Sequence, residues 1–211
     1  MIQVQKPVFI DYLYLVILSA IWGSAFVAIE YALNGFPPFL IGFGRIFISA
    51  LFLYIIVKYQ GLLFPKDKNT WILLFIIGAL NNAIPFVLIP WGQQFISAST
   101  ASVMLAMGPF LALVLSHYIT NDEKFTFLKL LSVFLGFAGV FILFGQDFFT
   151  GDENSIYGKI ALLLAVCGYI SSGFLIRKIT NLPTVVTSAS MFITASILMI
   201  PYLFIFDFSS Y

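Results

Sequence analysis

The chain has 211 residues, of which 61% are hydrophobic and only 9% are charged, and its net charge is +1. An ordinary globular domain has about 25% charged residues, so this composition excludes a water-soluble domain and predicts an integral membrane protein. The near-neutral charge balance gives no reason to expect nucleic acid as a partner. The single cysteine, Cys167, excludes an internal disulfide framework and a Cys/His metal cluster.

Seven long apolar segments are predicted to be membrane-spanning helices. A helical span needs about 20 residues, and these segments are too long for the strands of a membrane barrel. A helix also satisfies its own backbone hydrogen bonds, which lipid cannot do. The predicted fold is therefore an all-α polytopic bundle in the lipid bilayer. Its spans, in chain order, are Tyr12–Leu33, Pro38–Lys58, Trp71–Trp91, Ala98–Ile119, Phe125–Gly145, Tyr157–Ile176 and Val185–Phe206.

The basic residues of the loops predict the orientation of the bundle. If the N-terminus is cytoplasmic, eight basic loop residues lie inside and only Lys159 lies outside, as the positive-inside rule requires. We therefore expect a multi-pass protein of the plasma or inner membrane with a cytoplasmic N-terminus. The eight residues are Lys6, Lys58, Lys66, Lys68, Lys124, Lys129, Arg177 and Lys178.

Part of the sequence recurs at an offset of 145 residues. Arg45–Ile55 aligns without a gap on Ser190–Ile200, and LSAIWG in the first span aligns on LLAVCG in the sixth. Chance similarity between apolar segments is the alternative, but aligned prolines and glycines favour duplication. The first unit has five spans, an odd number, so the second enters the membrane from the opposite side. We expect inverted repeats, with a five-helix unit in residues 1–147 and the first two helices of the second unit in residues 148–211.

The second predicted unit is incomplete. Two full units would need about 290 residues, so we expect this chain to be a fragment or a natural truncation after the seventh helix. The alternative is a seven-helix protein. Such a protein could form a homodimer or join a partner chain that carries the missing helices.

The first span contains AIWGSAFVAI (Ala20–Ile29), the second contains Arg45, and the segment Ile96–Leu143 ends in a glycine-rich fifth span. In these features the chain resembles the drug/metabolite transporter superfamily, and in particular its EamA type. The resemblance implies ten helices in two inverted repeats, cytoplasmic termini and a central substrate cavity. The chain departs from this pattern because it lacks spans eight to ten. It also has Glu30 where a basic residue is common in relatives.

Arg45 is the one full charge within the second span. It lies seven residues after Pro38, about 10 Å below the outer end of the helix. An arginine at such depth costs at least ~2.5–3.5 kcal/mol on insertion scales, so it should face a cavity or a partner. It could bind an anion such as a substrate carboxylate, form a pair with Glu30, or extend its side chain to the outer interface.

Four further residues are candidates for substrate binding. Trp22 lies near the middle of the first span, where an indole indicates packing or a pocket wall. Asn81 and Asn82 lie in the middle of the third span and need hydrogen-bond partners there. Pro85 lacks the N–H that would pair with the preceding turn, so a kink that exposes polar groups to a cavity is one interpretation and bonding between helices is the other. Tyr169 occupies the corresponding zone of the sixth span, with the same two interpretations.

Three other residues are candidates for gating or structural roles. Pro109 can bend the fourth span. His117 could relay protons or could be a solvated residue near a helix end. Glu123 could cap a helix or close a gate through an ion pair. We find no Ser/His/Asp set, metal-ligand cluster or phosphate-binding loop, so we expect no enzyme activity, catalytic residue, metal or cofactor.

The most economical functional hypothesis is a secondary transporter of small metabolites, amino acids or related amphipathic compounds. It would work by alternating access around a midplane cavity lined by spans one, two, three, four, six and seven. The alternative is a polytopic membrane protein that does not transport, or a partial subunit that assembles with a partner chain.

Overall fold

The structure is a computed structural model that describes residues 8–119, 126–149 and 154–205, and the secondary structure in these ranges is helical. Six of the described helices are long and apolar enough to cross a membrane, and a shorter apolar stretch, Phe127–Gly139, lies in the remaining one. The prediction of an all-α polytopic membrane protein is confirmed. We number the helices α1 (Phe9–Ala32), α2 (Pro38–Tyr59), α3 (Lys68–Gly92), α4 (Ala98–Ala106 and Gly108–Ile119), α5 (Phe127–Phe149), α6 (Ser155–Ile176) and α7 (Thr184–Ile205).

The residues at the start of α3 and α2 explain where these two helices begin. Helix α3 begins at Lys68 rather than at the predicted Trp71, because the carboxylate of Asp67 accepts a hydrogen bond from the Thr70 N–H at 2.8 Å. Hydrogen bonds from the Thr70 side chain and from its backbone N–H hold the pKa of Asp67 below its ordinary value. At the start of α2, Pro38 occupies the first turn, where its missing N–H costs no hydrogen bond.

Helix α3 occupies the centre of the bundle and packs against α2, α6 and α7. Its first half buries Leu74 and Ile77 against Met191 of α7. Its second half places Ile89 in a cluster with Ala165 of α6. Helix α1, in contrast, contacts mainly the first half of α4 and is mostly exposed. Because α3 is central, the side chains along it supply much of the interior of the bundle.

The middle of α3 is a π-helical turn over Ala79–Ala83. The Ile84 N–H donates to the Ala79 carbonyl, five residues earlier, instead of the usual four. Pro85 follows directly and has no N–H to continue the α-helical pattern. Wide turns of this kind insert one residue into a helix and occur frequently at functional sites. The distortion expected at Pro85 thus takes the form of a wider turn that contains both asparagines.

Helix α6 approaches this wide turn closely at Gly168. A Cβ atom on Gly168 would lie 2.6 Å from the Leu80 carbonyl oxygen and 3.5 Å from Cγ of Pro85. The first distance is shorter than real side chains tolerate, so the contact requires glycine. Small residues at such crossings let two helix backbones meet in a membrane.

Helix α4 is interrupted at Met107, just before Pro109. The Met107 N–H bonds the Met104 carbonyl at 3.2 Å, three residues back, which tightens the end of the first segment. Pro109 has no N–H to pair with the preceding turn, so the two segments meet at a weak point.

We expect Gly168→Ala to destabilise the bundle, because the added methyl group meets the Leu80 carbonyl. Overpacking of this kind typically costs about 1–3 kcal/mol. Gly173→Ala is the matched control on the same helix, since no described atom of another helix lies within 4 Å of its Cβ position. Thermal unfolding in detergent, followed by tryptophan fluorescence, should show a lower apparent Tm for Gly168→Ala alone. Equal values for the two variants would contradict the assigned crossing.

Candidate functional site

A cavity of about 440 Å³ lies between α1, α2, α3, α4, α6 and α7. These are the six helices from which the sequence predicts a cavity. Most of the wall is apolar or aromatic, and four polar side chains interrupt it. The wall consists of Ile21, Trp22, Ala25, Phe26, Ile29, Arg45, Asn81, Asn82, Phe86, Ile89, Leu105, Tyr169 and Phe192.

Arg45 contributes the positive charge of this cavity. Its guanidinium carbon lies 4.5 Å from the centroid of the Phe86 ring, a cation–π contact that orients the charged group. Arg45 also lies near enough to Tyr169 for an electrostatic interaction. Among the residues that the structure describes, no ion pair joins Arg45 to Glu30, whose side chain is exposed and outside the cavity wall. Of the three interpretations of Arg45, the geometry favours the cavity.

Asn81 and Asn82 form a short polar chain on the wide turn of α3. Nδ2 of Asn81 lies 3.3 Å from Oδ1 of Asn82, and Oδ1 of Asn81 lies 2.8 Å from the Ser172 hydroxyl on α6. Asn82 is 1% exposed, and its Nδ2 atom has no hydrogen-bond partner in the described part of the chain. Both asparagines line the cavity. Cavity lining and bonding between helices, proposed above as alternatives, therefore occur together.

Trp22 and Tyr169 stand at different depths of the site. Trp22 is 63% exposed and forms part of the rim, whereas Tyr169 is half-buried in the wall. Trp22, Phe26 and Ile29 follow a helical spacing of four and three residues, so one face of α1 closes the cavity.

The remaining candidates lie elsewhere. Pro85 is buried beneath the site and shapes the wide turn without lining the cavity. Pro109 lines a second cavity of about 600 Å³ between α4, α5 and α6. His117 is an exposed side chain near the end of α4 and lines neither of these two cavities. Glu123 lies outside the described residues. The larger cavity gathers none of the substrate-binding candidates, so we assign the site to the smaller one.

Two residues of the cavity wall, and one residue that ties α3 to α1 beside it, are not among the sequence-based candidates. Phe86 and Phe192 meet edge to face at 6.1 Å between ring centroids and form the wall beside Arg45. Gln93 is buried and donates from Nε2 to the Phe26 carbonyl at 2.9 Å, which ties α3 to α1. The sequence could have indicated Phe86 and Gln93 by their spacing, because they fall on the same face of helix α3 as Asn82.

The chemistry of the cavity is that of binding. Guanidinium and amide groups donate hydrogen bonds, the phenol of Tyr169 can donate or accept, and aromatic rings cover apolar surface. The lining contains no carboxylate. Within the described ranges, no three His, Cys, Asp or Glu side chains are grouped to hold a metal ion.

A polytopic helix bundle with a partly polar central cavity is an architecture that many membrane transporters have. The sequence model of the EamA-like transporter family matches residues 10–145. The chain belongs to this family, and so to the drug/metabolite transporter superfamily that the sequence resembles.

Several similar proteins are named as transporters. An uncharacterized transporter in the trpA 3' region of Buchnera aphidicola is 33% identical over 156 residues, 73% of this chain and 50% of that protein. The uncharacterized transporter YoaV of Bacillus subtilis is 24% identical over 194 residues, 90% of this chain and 65% of the relative. A probable terminal-alkyne amino-acid exporter of Streptantibioticus cattleyicolor is 24% identical over 129 residues, 61% of this chain and 43% of the exporter. The chain thus spans about half to two thirds of the length of the first two relatives.

The fold is also similar to that of a known crystal structure. The TM-score is 0.66, with 16% sequence identity, over 89% of this chain and 68% of the other. This likeness bears on the fold alone.

We expect the cavity to admit water, because Arg45 would otherwise lie in an apolar surrounding. In a Cys167→Ser background, Ala25→Cys should react rapidly with a charged methanethiosulfonate reagent, since Ala25 lines the cavity. Val27→Cys is the matched control two residues further along α1, where the side chain is 50% exposed but outside the cavity lining. The measurement is the labelling rate in membranes. Similar rates at the two positions would contradict a hydrated cavity.

Proposed function

We propose that the protein is a secondary transporter of small amphipathic metabolites, with amino acids as the foremost class. The observation that carries this proposal is Arg45 in the wall of a central cavity that contains amide, phenol and aromatic groups. The volume of about 440 Å³ falls in the range of ~300–1,000 Å³ typical of small-molecule sites.

The charge of Arg45 favours a ligand with a carboxylate. Burying a guanidinium in a membrane costs at least ~2.5–3.5 kcal/mol, and no ion pair offsets this cost within the described residues. A carboxylate can form two parallel hydrogen bonds with a guanidinium, so it restores the lost solvation. The aromatic part of the wall suits an apolar body on the same ligand. The relative named as a probable amino-acid exporter supports the same class.

Alternating access would follow from two inverted repeats, residues 1–147 and 148–211. Helices α2 and α7 correspond at the offset of 145 residues, and they pack extensively against each other. Ile46 and Ala195 share one buried cluster, and Phe39 meets Tyr202 with 5.6 Å between ring centroids. Contact between equivalent helices is what a twofold axis between the repeats would produce.

The wide turn in α3 and the interruption of α4 supply points at which such a bundle can bend. In this proposal, the two units rock around the cavity and expose it to one side of the membrane at a time. The N-terminus is cytoplasmic, and the membrane is the plasma or inner membrane.

Arg45→Gln should lower transport of L-leucine into proteoliposomes, because the ligand carboxylate loses its charged partner. Loss of a hydrogen bond to a charged group costs about 1.5–3 kcal/mol, which corresponds to a roughly tenfold to hundredfold weaker interaction. Arg177→Gln is the matched control, since Arg177 also lies over an aromatic ring, that of Phe174 at 5.8 Å, but outside the cavity. The measurement is initial uptake of radiolabelled L-leucine, with nucleosides and organic acids as comparison substrates. Equal flux through wild type and Arg45→Gln for every class would refute the role of Arg45.

A further inference from the structure

The Ser172 hydroxyl stands between two acceptors. It lies 2.8 Å from Oδ1 of Asn81 and 2.7 Å from the Tyr169 carbonyl oxygen. A hydroxyl carries one proton, so it can donate to only one of them at a time, while its lone pairs can accept from another group. If Ser172 donates to Asn81, its oxygen lies against the Tyr169 carbonyl oxygen with no proton between them, which is unfavourable. If Ser172 donates to the Tyr169 carbonyl, the Asn81 atom beside Ser172 must be a hydrogen-bond donor.

The same atomic positions fit two hydrogen-bond chains. In the first, Ser172 donates to Asn81 and Asn81 donates to Asn82, so Nδ2 of Asn82 has no partner among the described residues and the Ser172 oxygen meets the Tyr169 carbonyl without a proton between them. In the second, Ser172 donates to the Tyr169 carbonyl and both amides are turned over, which exchanges the places of oxygen and nitrogen. Asn81 then donates to Ser172, Asn82 donates to Asn81, and the Asn82 oxygen takes the position without a partner. Asn82 is one of the residues that line the cavity.

The two chains differ in what they present to a ligand. The first ends in a donor and the second in an acceptor, and the change needs only the rotation of one hydroxyl and two amides. Asn82 is the member that ends the chain, it is almost fully buried, and the atom it presents has no partner in the described structure. An unsatisfied buried amide costs about 1–3 kcal/mol, which a ligand recovers when it supplies the missing partner.

We propose that Asn82 determines head-group specificity by contacting the second polar group of the ligand, and that Ser172 positions it through Asn81. This inference rests on the proposed function, in which Arg45 binds the carboxylate. The ligand class is then an α-amino acid, whose ammonium group meets the acceptor form of the chain. The cavity wall has no carboxylate to receive that ammonium group, so the Asn82 oxygen and the Tyr169 hydroxyl are the acceptors that remain.

Three ligands with the same branched apolar body separate the roles of these residues. L-leucine carries both head groups, 4-methylpentanoate carries only the carboxylate, and isoamylamine carries only the ammonium. Their dissociation constants for the purified protein are measured by calorimetry. Wild type should bind L-leucine at least about tenfold more tightly than either partial ligand, because each missing group leaves a buried partner unpaired.

Asn82→Leu should weaken L-leucine binding by roughly fivefold or more and leave 4-methylpentanoate within about twofold. Asn82→Asp provides a second variant with the opposite signature, since a fixed acceptor with negative charge favours isoamylamine and disfavours 4-methylpentanoate. Ser172→Ala should lower the preference for L-leucine over 4-methylpentanoate. Ser171→Ala is its matched control, because Ser171 is the exposed neighbour outside the chain and should keep the preference of wild type.

The outcomes distinguish this inference from the proposed function. If Arg45→Gln weakens L-leucine binding but the Asn82 variants change all three ligands by the same factor, the inference is wrong and the transporter proposal stands. If Ser172→Ala and Ser171→Ala keep the same preference, the positioning role of Ser172 is wrong. If wild type binds none of the three ligands, or if Arg45→Gln has no effect, the proposed substrate class fails and the inference fails with it.

Discussion

The site depends on one constraint, which is that polar groups inside a membrane must find partners within the protein. Two adjacent asparagines in the middle of α3 cannot both point toward the same neighbour along a regular helix, because successive side chains are about 100° apart. Both asparagines lie in the π turn at Ala79–Ala83, and their side-chain amides are 3.3 Å apart. Ser172 on α6 completes the chain, and Gly168 lets that helix come close enough. The polarity of the cavity is thus a consequence of how α3 resolves its own buried amides.

Arg45 is held by packing, and no carboxylate pairs with it among the residues that the structure describes. Its guanidinium lies over Phe86, which in turn meets the edge of Phe192. Gly42 allows α2 to approach the Phe86 carbonyl, since any Cβ at that position would collide with it. A cation–π contact contributes about 0.5–2 kcal/mol. This contribution is smaller than the free-energy cost of breaking a buried ion pair. The arrangement orients the cation while leaving its hydrogen-bonding fork available to a ligand, and a transporter needs both properties.

The sequence predicts the spans because long apolar segments can be read directly from it. It predicts which helices surround the cavity from their order along the chain. It predicts Arg45 because a lone charge in a span requires a polar surrounding. It could not decide the pairing of Arg45 with Glu30, because that depends on helix rotation. Ile29 lies in the cavity wall, and Glu30, one residue further, is turned about 100° away from it. The sequence predicts a distortion at Pro85 but not that it takes the form of a π turn. The contact of Arg45 with Phe86 also escapes the sequence pattern, since it arises only when α2 and α3 pack together.

The proposed duplication explains why only part of the site could recur. Packing positions on the two related helices must match if the repeats meet around a common axis, and the equivalent residues Ala50 and Ala195 are both buried. Binding positions have no such requirement. Arg45 corresponds to Ser190, which is fully buried and whose hydroxyl has no hydrogen-bond partner among the described residues. A second arginine there would place two like charges at the centre of the bundle, and the desolvation cost of each would rise through their repulsion. A single cation on two helices related by the proposed duplication therefore fits the proposal that the cavity binds one carboxylate at a time.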